Sequence, residues 1–221
     1  MIKQKKLTYG KLAIYIIALF AIWSIQRLYF RPVFINQLDG LFFELVDSGS
    51  KIIIWLFPAL WMLRRFGGEM WLNLREMFVN KPSWQMVVIS TIAIGVVAFL
   101  VGMLYGDGFS MRTDFEWRML IAPVLVAGIT EELVFRGVIL NSLLPKMKTV
   151  FAVLIDAILF ALIHYPIWIY VGFGLPTILI NSAFSIFFSI LLSFSFLKTK
   201  NILVPVGLHM FYNFLITIFV M

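Results

Sequence analysis

Apolar positions in this chain do not alternate with polar ones. They run on for about 20 residues at a time, the length a helix needs to cross the hydrocarbon of a bilayer. Seven such runs stand at 11–30, 42–63, 84–104, 118–142, 149–168, 176–196 and 202–220, each bounded by charge, proline or glycine. The pattern predicts an all-α polytopic transmembrane helix bundle of about seven spans. Between the second and third runs, FGGEMWLNLREMFVNKPSW is too charged to cross. Its Trp71, Leu74, Met77 and Phe78 fall at helical spacing and predict a short helix lying in the cytoplasmic interface. YGDGFSMRTDFEW reads as an outward-facing loop, with Gly106 and Gly108 as breakers. YPIWIYVGFGLP reads as an uncharged outer connection dipping into the interface. No internal repeat or low-complexity tract is visible, which weighs against transporter folds built from duplicated halves.

Composition sharpens this picture. With 62% hydrophobic and 13% charged residues the chain lies far from soluble averages, and the runs leave no room for a sizeable soluble domain. A net charge of +7 would suggest nucleic acid in a soluble protein, but here the basic residues sit in short segments between apolar runs and read as topology signals. One side carries Lys3, Lys5, Lys6, Lys11, Arg64, Arg65, Arg75, Lys81, Lys146, Lys148, Lys198 and Lys200, and the other Arg27, Arg31, Lys51, Arg112 and Arg118. The imbalance puts the N-terminus in the cytoplasm and the C-terminus outside. Arg136 alone is left over, inside a run. MIKQKK followed by LAIYIIALFAIW imitates a secretory signal, yet no small-x-small cleavage site follows, so it is read as a retained first span. The absence of cysteine excludes disulfides, thiolate metal sites and cysteine nucleophiles.

The chemistry is concentrated in GITEELVFRGVIL, residues 128–140, where two glutamates and an arginine interrupt an apolar run. Insertion of each such charge at a helix centre costs roughly 2.5 to 3.5 kcal/mol, so three together need a reason. Glu132 and Arg136 are four apart and can neutralise each other on one face, whereas Glu131 lies about 100° round the helix and looks elsewhere. A structural ion pair between helices would explain part of this. The two histidines of the chain, His164 and His209, both fall inside spans, and Asn213 shares a face with His209. Counting about 1.5 Å per residue from the cytoplasmic helix ends gives depths of roughly 17 Å for Glu131, 22 Å for His164, 10 Å for His209 and 16 Å for Asn213. All fall in one central slab, which helix tilt narrows further. Asp156 lies about 80° round its helix from His164 and either faces the cluster or pairs with a polar neighbour. Ala127 and Gly128 are small enough to let another helix approach closely.

These residues resemble a known family. EELVFRG fits EExxxR, FALIH fits FxxxH and HMFYN fits HxxxN, in the order found in the CPBP intramembrane proteases, the group of CAAX prenyl endopeptidases and bacteriocin-processing or self-immunity proteins. The resemblance covers roughly residues 118–215. It implies that Glu131 and His164 hold and activate a water molecule, that His209 and Asn213 face the developing oxyanion, and that Glu132 and Arg136 support them. Peptide hydrolysis needs such a base and such donors. Phe160, one turn before His164, is expected to pack. Family members are often described as metalloproteases, and Glu131, His164 and His209 could supply three ligands to zinc with a fourth position open. No HExxH pair is present, and a glutamate-activated water requiring no metal is the preferred expectation.

The domain reading is a catalytic CPBP-type core over 116–221 preceded by membrane helices and an interfacial segment over 1–115. The expected protein is an intramembrane endopeptidase of a bacterial plasma membrane acting on a peptide or lipidated-protein substrate, with the bilayer and no nucleic acid as partner. The rival readings are a non-catalytic scaffold, regulator or immunity protein of the same fold, and a proton-coupled transporter with Asp156 and Glu131 in relay.

Overall fold

The computed structural model describes residues 6–105 and 110–219. Gly106 and Gly108, expected to break the chain after the third run, lie outside the described residues. Among those described the protein is helical, with no strand and a lone bridge between Met111 and Phe219. In chain order the helices are α1 (Tyr9–Ile35), α2 (40–66), α3 (Leu74–Val79), α4 (Trp84–Tyr105), α5 (117–143), α6 (Thr149–Leu162), α7 (Tyr165–Val171), α8 (Leu175–Thr199) and α9 (Leu203–Ile218).

Four stretches among the described residues are long and apolar enough to cross a membrane: Tyr9–Ile35, Trp84–Met103, Thr149–Val171 and Leu175–Thr199. Leu203–Ile218 is apolar but shorter. This is an integral membrane protein. The two remaining long helices, α2 and α5, carry most of the buried charge, with Asp156 on α6 the other buried carboxylate, and they form the centre. Every residue from Thr130 to Leu143 is buried, the polar Thr130, Glu131, Glu132, Arg136, Asn141 and Ser142 included, which places this helix in the bundle core. Around α5 pack α2, α6, α8 and α9. Helix α4 turns Ile92, Val96, Phe99 and Leu100 outward instead.

Neither central helix is regular. In α2 wide π-type turns over Ile52–Leu56 separate the α-helical stretches Gly40–Lys51 and Phe57–Phe66. In α5 the α-helical turn Ala127–Glu132 lies between π-type stretches Ile121–Val126 and Leu133–Leu140, so the paired glutamates occupy the one regular turn of an otherwise widened segment. Such insertions recur at functional sites.

Two connections differ from expectation. The short helix α3 exists, closed by a reciprocal cap between Asn73 and Glu76, but Met77 is buried in the protein rather than in lipid, and Leu72 is tied to α5 by both its backbone groups through the Asn141 amide. The stretch after His164 is helical over Tyr165–Val171 and ends at Gly172 with φ of 83°, where glycine meets no steric penalty. Lys51, counted among the outer loop cations, is instead buried in the middle of α2.

Candidate active site

The site is assembled by α5, α9 and the turn between α6 and α7, where His164 stands just past the end of α6 rather than within it, with one side chain from α2. At Gly128 the closeness of α5 and α9 is visible directly: a Cβ there would stand 2.5 Å from Met210 Cγ and 3.4 Å from the Met210 nitrogen. Only glycine permits this approach, as expected of a small residue at a helix crossing. One turn later on α5 comes Glu131, and beside Met210 on α9 comes His209.

Glu131 is 5% exposed, and its two oxygens have different partners. Oε1 accepts a hydrogen bond from Lys51 Nζ at 2.5 Å. Oε2 accepts none among the described residues and lies 3.9 Å from both His164 Nε2 and His209 Nε2. The tautomers follow from the far sides of the rings. His164 Nδ1 is 2.7 Å from the Phe160 carbonyl oxygen and His209 Nδ1 is 2.7 Å from Glu132 Oε1. Both partners are acceptors, so each Nδ1 carries a proton and each neutral imidazole presents a bare Nε2 to Glu131. A water about 2.8 Å from Glu131 Oε2 and from either Nε2 spans a 3.9 Å gap comfortably.

The second glutamate also leaves its Oε2 without a hydrogen bond among the described residues, but it lines neither cavity beside the histidines. Glu132 and Arg136 have wholly buried side chains, joined at 3.0 Å between Glu132 Oε1 and Arg136 Nη1. Arg136 Nη2 also donates to the Ser189 carbonyl and hydroxyl oxygens on α8, at 2.9 and 2.7 Å, and its Nε is 3.7 Å from Asp156 Oδ2 on α6. Ser193 donates to the same Asp156 oxygen at 3.2 Å. Asp156 therefore pairs with Arg136 and lines neither cavity beside the histidines, which leaves the proton relay with Glu131 without a path. Phe160 is buried among Phe135, Phe188 and both imidazole rings, with Arg136 over its face: it packs.

Two cavities meet at this point. One, of about 550 Å³, is the more polar of the two: Arg27, Arg31, Glu44, Asp47, Arg112, Lys51 and Glu131 line it among apolar neighbours. The other, of about 440 Å³, is largely aromatic, bounded by Phe160, Trp168, Phe173, Phe188 and Tyr212, and it holds His209 and Asn213. His164 lines both. Asn213 Nδ2 donates to the Pro123 carbonyl at 2.7 Å, which uses one of its two amide hydrogens.

The three donors nominated for zinc do converge, yet their spacing does not suit it. Tetrahedral zinc with bonds of about 2.0 to 2.1 Å sets its ligands about 3.3 Å apart, against the 3.9 Å found here. Among the described residues no group of three or more potential ligands is spaced to hold a metal ion. The ammonium of Lys51 on the same carboxylate also repels a cation.

Residues 113–215, just under half of the chain, match the type II CAAX prenyl endopeptidase family described as Rce1-like. Over that stretch the chain is similar to an Rce1-like domain. Glu131, Glu132, Arg136, His164, His209 and Asn213 all lie inside that domain, whereas Lys51 and the cavity arginines Arg27 and Arg31 lie outside it. No curated protein and no solved structure matches the chain. Lys51 is the site residue that sequence reasoning overlooked: it lies inside the 42–63 run, but following the polar stretch VDSGS it reads with the outer cations. Its signal was Asp47 one turn earlier with no glycine or proline between Lys51 and the apolar run, which marks a continuing helix.

Proposed function

We propose that this protein is an intramembrane endopeptidase that hydrolyses a peptide bond of a peptide or membrane-associated substrate with a water activated by Glu131 and His164. The observation that carries the reading is the unbonded Oε2 of Glu131, facing two bare imidazole nitrogens in a buried space open to two cavities. The water donates one hydrogen to Glu131 Oε2 and the other to His164 Nε2. As its oxygen attacks the carbonyl carbon, Glu131 takes the proton, and the carbonyl oxygen becomes an oxyanion. Glu131 then returns that proton to the leaving amine. The second hydrogen of the Asn213 amide is available to the oxyanion, and so is His209 when Nε2 also carries a proton, a form that Glu132 balances through Nδ1.

The polar cavity suits the charged end of a substrate and the aromatic one an apolar or lipid-bearing residue, so the scissile bond lies where they meet at His164. Together with the Rce1-like domain this favours a lipidated protein or peptide. Seven spans, a cytoplasmic N-terminus, a bacterial plasma membrane and a catalytic core over 116–221 complete the proposal. The reaction as written needs no metal.

The test is cleavage of an internally quenched, farnesylated CAAX peptide by the full chain in liposomes, beside Glu131→Ala and His164→Ala. Native turnover with loss in both variants is the expected result. Equal cleavage by all three would end the hydrolase reading and leave a scaffold of the same fold. Loss of activity on chelation with recovery on added zinc would overturn the metal-free route.

A further inference from the structure

We infer that Lys51 is a positioning residue, supplied by the N-terminal helices, that fixes the carboxylate of Glu131 so that Oε2 faces the imidazoles. The inference rests on the proposed hydrolase reading and names a component of the site outside the Rce1-like domain. Lys51 and Glu131 are 80 residues apart in sequence, on α2 and α5, and both side chains are almost wholly buried. The ammonium is caged. Its Nζ lies 4.9 Å from the ring centre of Trp55 and 5.5 Å from that of Trp23, and these two rings meet edge to face at 5.1 Å. Indole faces attract a cation and accept no proton. Of the groups around Nζ, the one carboxylate oxygen in hydrogen-bonding reach is Glu131 Oε1.

Stability alone does not account for this pair. Replacing a buried ion pair by apolar residues of similar volume is commonly neutral or stabilising, because desolvation consumes the attraction. Helices α2 and α5 are also joined elsewhere by purely apolar packing, Trp55 against Phe135 among it. What the pair does supply is orientation. A terminal carboxylate torsion is broad, so without a partner the plane of the Glu131 carboxylate swings and neither oxygen is held toward the imidazoles. Anchoring Oε1 leaves Oε2 as the oxygen that meets the water. Reactive groups held in register in this way differ greatly in rate from groups merely nearby.

The experiment uses the full chain in liposomes and the farnesylated, internally quenched CAAX peptide, comparing native protein with Lys51→Met, Lys51→Arg and Lys51→Ala, and with Glu131→Ala as the floor. Lys51→Met is expected to lower kcat about 100-fold, the scale of a small misplacement of a reacting group, with KM nearly unchanged. Lys51→Arg keeps the charge and recovers much of that loss. Ethylammonium chloride, small enough for the cavity that Lys51 lines, partly restores Lys51→Ala and does nothing for Glu131→Ala. Native kcat in Lys51→Met, or a loss that neither arginine nor ethylammonium repairs, overturns the inference. A second readout stands apart from turnover: the infrared carboxylate band assigned to Glu131 by difference against Glu131→Gln. It is expected to shift in Lys51→Met and return in Lys51→Arg. If Glu131→Ala cleaves like the native protein, the hydrolase reading fails, and this band still decides whether Lys51 holds the carboxylate. An unmoved band overturns it.

Discussion

Glu131 and Glu132 are neighbours in sequence, equally acidic and both buried, yet they belong to two different regions of the bundle. Each has one oxygen engaged and one unbonded among the described residues, but around Glu131 the structure is open, because it lines a cavity and its free oxygen faces two imidazoles. Around Glu132 it is sealed: Arg136 binds the carboxylate, Ser189 and Asp156 bind Arg136, and Ser193 binds Asp156, so that α5, α6 and α8 are stitched together without a cavity. One residue step, about 100° round the helix, thus separates a reactive carboxylate from a structural one. The difference lies in what each side chain meets, and the meeting is set by the direction in which it leaves the helix. His209 joins the regions, since its Nδ1 rests on Glu132 and its Nε2 faces Glu131.

The largest expected effect separates the two glutamates by activity. Glu131→Gln lowers kcat about 10³- to 10⁴-fold, the usual contribution of a positioned base, with an unchanged melting temperature. Glu132→Gln does the reverse in proportion, with the melting temperature as its main casualty. If the two variants lose activity and stability alike, the distinction between open and sealed regions collapses. Next comes Arg136→Met, which strands Glu132 and Asp156 in a dry interior and is expected to cost about 3 to 5 kcal/mol, read as lost thermal stability or yield in detergent. A milder outcome, with activity retained, would mean that the sealed cluster is not what holds α6 and α8 to α5. Asn213→Ala is expected to reduce kcat about 10²-fold through loss of an oxyanion donor, with little change in melting temperature. Smallest is Gly128→Ala, whose added methyl meets Met210 and costs about 1 to 3 kcal/mol by overpacking. Paired with Met210→Ala the penalty shrinks, which a double-mutant cycle measures.

Much of the fold was legible because lipid imposes a simple rule. Long apolar runs become helices, and a charge inside one must find a partner. That rule picked out Glu131, Glu132, Arg136, His164 and His209 before any coordinate was known, and the structure brings them together. Asn213 was nominated by its helical offset from His209, and it lies on the aromatic cavity with its amide on Pro123. Three things escaped. Lys51 pairs with a residue 80 positions away, and no local pattern encodes a partner at that distance. The link between Leu72 and Asn141 is equally remote, so α3 reads as an interfacial helix while Met77 is in fact held against the core. The widened turns of α5 leave no mark on composition, because hydrogen-bond pitch responds to packing rather than to residue type.

The close crossing at Gly128 has one more consequence. Because the space a side chain would fill at Gly128 is taken by Met210, its Cγ foremost, the separation between the carboxylate three residues on and the imidazole next door is gauged by how Met210 seats there. A thicker or thinner bilayer that leans these two helices would swing them as a jointed pair about that pivot, carrying acid and base along without prising them apart.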